Sequence, residues 1–136
     1  MKNINGGRQQ MLTIDNKNEI HLTRGDTAFI KTIPEVEIID ENDKPTGKWK
    51  KYEFQDGDVV VFRLAINSKT ILEKECFIDL EENKATLTLL PSDTSELEPR
   101  TYYYCFELVT AGGAHFTYIE NARFTLGKEL EKRVDE

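Results

Sequence analysis

The chain has 136 residues, 38% of them hydrophobic and 32% charged, and its 18 Lys and Arg against 25 Asp and Glu leave a net charge of −7. That length suits one domain with a real core, and the composition excludes a disordered chain. The acidic balance excludes generic nucleic-acid binding, and no window approaches the roughly 18 apolar residues of a membrane span, so neither nucleic acid nor membrane is expected as a partner.

Residues 1–10, MKNINGGRQQ, are polar and glycine-containing, with no apolar segment of a secretory signal. They are expected to form a flexible arm. A single β domain is expected over 11–127, and a charged tail that can turn helical over 128–136. From Met11 onward, short runs rich in Val, Ile, Phe, Tyr and Thr alternate with Gly, Asn, Asp and Pro clusters. Strands are predicted at MLTI, IHLT, TAFIKTI, EVEII, YEF, VVVFRLAI, ILEKECFID, ATLTLL, TYYYCFELVT, HFTYI and ARFTL. Turns are predicted at DNKN, RGD, ENDKPTG, QDGD, NSK, LEENK and AGG, with a short helical turn near 91–97. So many short strands indicate an all-β sandwich or barrel rather than βαβ units.

Alternation gives the core. Val60, Phe62, Leu64 and Ile66 share one strand face, as do Tyr102, Tyr104, Phe106 and Leu108. Cys76 and Cys105 fall inside such runs and read as reduced, small hydrophobes. Zinc is not expected, because there is no C-x-x-C and there are only two histidines, His21 and His115. Tyr102 follows the corner PSDTSELEPR, where its hydroxyl can fold back onto the backbone, the tyrosine-corner device of Greek-key sandwiches. Cys105, in Tyr103-Tyr104-Cys105, has its only possible partner 29 residues upstream, which disfavours an antibody-type disulfide framework.

Arg24-Gly25-Asp26 spells the tripeptide of integrin ligands. However, Gly57-Asp58 repeats the Gly-Asp-strand form, glycine reaches positive φ freely, and Asp closes turns through its side chain. Gly25, Asp26, Gly57 and Asp58 are therefore read as structural turn residues. The loop around Asp40, Asn42 and Lys44 fails as a calcium site because Lys44 supplies no oxygen and Pro45 stands where glycine is needed. No nucleophile elbow, zinc helix or phosphate-cradling loop occurs, so no catalytic residue, cofactor or metal is expected.

The passage I-x-LTRGDT after a short LTI resembles the opening of small β-sandwich proteins from prophage structural clusters of Gram-positive bacteria, themselves similar to the N-terminal domain of phage baseplate upper proteins. YEFQDGDVVVFRLA, ATLTLLPSDTSELEPRTYYYCFEL and ARFTLGKEL continue the likeness over most of 11–130. Where the family favours glycine before the Tyr-rich strand, this chain has Arg100. The resemblance implies an immunoglobulin-like antiparallel Greek-key β-sandwich acting as a non-enzymatic tail or baseplate component. It would bind other phage structural proteins or itself, in the bacterial cytoplasm during assembly and then in the virion. The alternative is a carbohydrate-binding or other ligand-binding β-sandwich module, for which the basic-aromatic patch Lys48, Trp49, Lys50, Lys51 and Tyr52 is the candidate surface, with Tyr103 as a further aromatic. The competing reading of that patch is that its aromatics pack at a strand entrance while the lysines protect a sheet edge.

Overall fold

A computed structural model of the chain describes residues 10–11 and 18–129. Its strands run β1 (Gln10–Met11), β2 (Ile20–Thr23), β3 (Ala28–Thr32), β4 (Pro34–Ile39), β5 (Pro45–Lys51), β6 (Val59–Ile66), β7 (Lys69–Glu75), β8 (Phe77–Asp79), β9 (Lys84–Leu89), β10 (Arg100–Val109) and β11 (His115–Gly127). The single helical turn among the described residues is α1 (Pro91–Thr94), and no helix there is long and apolar enough to cross a membrane. The fold is all-β. The predicted strand MLTI, the turn DNKN and the helical tail lie partly or wholly outside the described residues.

Three sheets form, in the orders β1-β4-β5, β2-β11-β10-β6-β7 and β3-β9-β8. The last two share one core. Val60, Phe62 and Leu64 from β6, Ala85, Leu87 and Leu89 from β9, and Tyr102, Tyr104, Phe106 and Leu108 from β10 are all buried within it. Period-two alternation puts these residues on the facing sides of their sheets. Phe62 touches Tyr104, Phe106 and Phe124 at ring-centroid distances of 5.7, 5.3 and 6.3 Å, so aromatic packing fills the middle. Cys105 is on the other face of β10, opposite Arg63, and only Cys76 belongs to the core; both thiols are free.

Several local expectations are corrected. The five-stranded sheet is not purely antiparallel, because β2 runs parallel to β11, with Ile20 opposite Phe124 and Leu22 opposite Leu126. Gln10, expected in the arm, already pairs with Glu35 in β1. TAFIKTI forms β3 as expected, over Ala28–Thr32, and Pro34, which lacks an N–H to continue that ladder, opens β4. YEF forms no strand. There the Asn83 amide stands in for a neighbour, its Oδ1 accepting from the Phe54 amide at 2.8 Å and its Nδ2 donating to the Tyr52 carbonyl at 2.8 Å. PTG, expected in a turn, opens β5 instead.

ILEKECFID divides at Cys76, where the chain passes from the five-stranded sheet into the other without a loop. The Cys76 amide donates to the Val60 carbonyl at 2.8 Å, so the crossing costs no backbone hydrogen bond there. HFTYI and ARFTL are not separated by a turn; both belong to β11. Tyr104 pairs with Ala122 and Phe106 with Ile119, so two steps on β10 face three on β11, and Asn121 takes a φ of 51° nearby. A second slip follows before Glu107–Thr117. These bulges let the consecutive residues Tyr118 and Ile119 both reach the core.

Candidate functional site

The two Gly-Asp turns are built into the fold. At the first, the Asp26 amide donates to the Thr23 carbonyl at 3.0 Å and Gly25 has a φ of 84°, which closes a tight turn. Arg24 does not project freely. Its guanidinium donates to both carboxylate oxygens of Glu129 at 3.0 and 3.2 Å and to the Leu97 carbonyl at 3.2 Å. The Gly25 amide donates to the hydroxyl of Thr94, a fully buried residue of α1. The triplet thus ties the β2–β3 turn to α1 and to the end of β11. That consumes the arginine an adhesive triplet would display.

At the second turn, Asp58 is buried and accepts three hydrogen bonds. Tyr52 Oη (2.8 Å) and the Gln55 amide (2.7 Å) donate to Oδ2, and the Ala111 amide (2.9 Å) donates to Oδ1. Burial and the adjacent Asp58 carboxylate push the Tyr52 phenol up to about 12. Tyr52 also lies edge-on to Phe54, with ring centroids 5.5 Å apart. Tyr52 is therefore a packing residue, and the sequence patch 48–52 separates. Lys48, Lys50 and Lys51 are exposed on β5, Trp49 is half-buried opposite Glu37, and Tyr52 turns toward the core. Tyr103 belongs to a different sheet, on β10 opposite Ala65, and joins no platform with Trp49 on β5.

The Tyr102 hydroxyl donates to the Glu98 carbonyl at 2.7 Å, closing the corner after α1. Arg100 is already the first residue of β10 and has no positive φ, so glycine is not required there. The Arg100 guanidinium lies 5.8 Å from the Tyr102 ring centroid. On the outer face of the five-stranded sheet, Glu73, Arg63, Glu107 and His115 form a chain of polar contacts, at 3.0 Å from Arg63 to Glu73, 2.8 Å from Arg63 to Glu107 and 2.8 Å from His115 to Glu107. The hydrogen bonds from Arg63 and His115 hold the Glu107 carboxyl below its usual range, against the opposing effect of burial. Burial pushes the Cys105 thiol up, so the thiol beside this chain is not an activated nucleophile. Burial likewise pushes Cys76 up to about 12.

Among the described residues no group of three or more His, Cys, Asp or Glu is arranged to hold a metal ion. Asp40, considered for calcium, instead accepts from the Asn42 and Lys44 amides at 2.8 and 2.9 Å and closes its own turn. One concavity, lined by His21, Leu22, Thr23, Thr125 and Gly127, holds about 200 Å³. That is smaller than the roughly 300–1,000 Å³ of ordinary ligand pockets.

What the sequence reading missed is apolar surface. Phe29 and Phe77 are each 67% exposed, Leu80 is 50% exposed, and Leu90 is 46% exposed. Phe29 on β3 and Phe77 on β8 flank β9, opposite Thr88 and Thr86 respectively. The signal was present in the alternation, because Ala28 and Ile30 turn inward and leave Phe29 outward. No protein-family model, no curated protein and no solved structure matches the chain.

Proposed function

We propose that the chain is a non-enzymatic assembly protein, an immunoglobulin-like β-sandwich of a prophage tail or baseplate apparatus that works through protein contacts. The observation that carries this reading is the division of labour among its side chains. Arg24, Asp58, Tyr52 and Tyr102, the polar groups best placed for chemistry, are engaged in holding turns, while Phe29 and Phe77 stand two-thirds exposed on one sheet. Large apolar side chains grouped on a sheet face are a feature of contact surfaces.

The strand order supports the finer fold. Immunoglobulin sandwiches pair strands B, E and D in one sheet and G, F, C and C′ in the other. Here β3-β9-β8 and β11-β10-β6-β7 take those places, with β2 added beside β11. Tyr102 lies near the start of the F-like strand, with its hydroxyl turned back to the corner. Two residues on, where antibody domains carry the second cysteine, Tyr104 fills the core. The β4–β5 hairpin is inserted between the B-like and C-like strands.

The carbohydrate reading fares less well, because Tyr52 gives its hydroxyl to Asp58 and packs edge-on to Phe54. The test of the assembly reading is direct. Particles released on induction of a prophage carrying this gene are purified, and their proteins are identified by mass spectrometry. The chain is expected among the tail proteins or in their assembly intermediates. Its absence from both would end the reading.

A further inference from the structure

The exposed edges of this fold differ in charge. Among the described residues, β5 ends its sheet with β4 on one side and no strand on the other, and its Lys48 amide donates to the Thr46 hydroxyl, at 3.1 Å. That edge is basic. Lys48 and Lys50 are exposed two residues apart on one face, and Lys51 is exposed on the other.

A second edge lies where β7 ends the five-stranded sheet and β8 ends the three-stranded one. Because the chain crosses at Cys76 without a loop, the two make one continuous border over 69–79. Glu73, Glu75, Phe77 and Asp79 alternate along it, and the exposed residues Leu80, Glu81 and Glu82 follow. Glu73 is engaged by Arg63 at 3.0 Å, so Glu75, Asp79, Glu81 and Glu82 give this edge its charge around Phe77. The border holds two lysines. Lys74 turns to Asp93 at 2.7 Å, and Lys69 stands at the far end.

We propose that the chain associates with further copies of itself head to tail, the basic β5 edge of one copy pairing with the acidic, Phe77-bearing β7–β8 edge of the next. Strand addition supplies the backbone hydrogen bonds, and charges two residues apart on each edge can face opposite charges across the new ladder. Like edges are kept apart by the same charges: two β5 edges would set lysine against lysine, and two acidic edges carboxylate against carboxylate. Only the unlike pair attracts. Such a contact uses different surfaces on the two partners, so repetition builds a ring or a filament. Phe77 is covered in the process.

This proposal rests on the assembly reading and names the partner as a second copy. Solution mass is measured by light scattering and sedimentation, from micromolar to millimolar protein, at low and high salt. At low salt the mass is expected to be several times that of one chain, falling toward one chain as salt screens the edges. The pair Lys48→Glu with Lys50→Glu and the pair Glu75→Lys with Glu81→Lys should each give a monomer that keeps the β-sheet circular dichroism of the parent. Mixed in equal amounts, the two should regain the higher mass, because every reversed edge then meets its complement. If a reversal disrupts folding, Lys48→Gln with Lys50→Gln serves as the milder variant and should also lower the mass. An unmodified chain that stays monomeric throughout, or reversed variants that keep the parent mass, would overturn the proposal. The particle experiment is independent of both results, so a monomer that is nonetheless found in particles would sink self-association alone.

Discussion

Gly57 and Ala111 stand so close that a Cβ built on the glycine would lie 3.0 Å from the Cβ of the alanine. Gly57 also has a φ of 98°, whereas Gly25, at a φ of 84°, has open space where its Cβ would go. The two Gly-Asp turns therefore predict different mutational costs. Gly25→Ala carries backbone strain alone, about 1 kcal/mol. Gly57→Ala adds an overpacked contact of about 1 kcal/mol or more. Ala111→Gly should recover the second part and leave the first. Urea unfolding of the two single variants and the Gly57→Ala/Ala111→Gly pair checks this, and equal costs at the two glycines would refute it.

Asp58 anchors three donors from two segments, Tyr52 and Gln55 on its own loop and Ala111 on the β10–β11 hairpin. Truncation to alanine leaves all three without their acceptor, and buried unsatisfied donors are costly. Asp58→Ala is expected to lose about 3 kcal/mol or more, and Tyr52→Phe, which removes one donor and no acceptor, about 1 kcal/mol. Thermal melts give the order. A neutral Asp58→Ala would mean that water replaces the carboxylate without penalty.

The strands and the core faces were legible because alternation is a local signal: Val60, Phe62 and Leu64 declare their face within six residues. The glycine turns were legible for the same reason. What was hidden depends on distant partners. Nothing in YEF foretells that Asn83 will satisfy its backbone from across the fold, and nothing in ILEKECFID marks Cys76 as the crossing between sheets. The patch at 48–52 looked contiguous in sequence, yet Asp58 draws Tyr52 away from its lysines. The β11 bulges escaped because an extra residue is defined only against β10.

Thr32 and Tyr118 form a buried hydroxyl pair, 2.7 Å apart and each 3% exposed. Removing one hydroxyl strands the other, while removing both leaves an apolar contact. Tyr118→Phe and Thr32→Val are each expected to cost about 1–2 kcal/mol, and the double variant less than the sum of the two. A double-mutant cycle by chemical denaturation measures the coupling. Strict additivity would show that the pair contributes nothing as a pair.

Four groups whose shifts have identified causes, Glu107, Asp93, Tyr52 and Cys76, contribute to the response to pH. The hydrogen bonds from Arg63 and then His115 lower the Glu107 carboxyl in the folded state. At Asp93, burial opposes ionisation, but the hydrogen bonds from Lys74 and the Leu90 amide and the lysine charge outweigh it, so that carboxyl is lowered as well. A carboxylate lowered on folding contributes stability above its unfolded value, here 4.5 for Glu107 and 3.8 for Asp93, and that contribution disappears as pH falls through the folded value. On the alkaline side the sign reverses. Cys76 rises from 9.0 and Tyr52 from 10.0, each to about 12, so their contributions are intact below pH 9 and are lost as pH climbs toward 12. The urea midpoint should therefore hold level through neutral pH and decline at both ends. Glu107→Gln with Lys74→Met should flatten the acid limb, and Tyr52→Phe with Cys76→Ala the alkaline one. If either limb keeps its full slope in the matching variant, the fall at that end belongs to other groups.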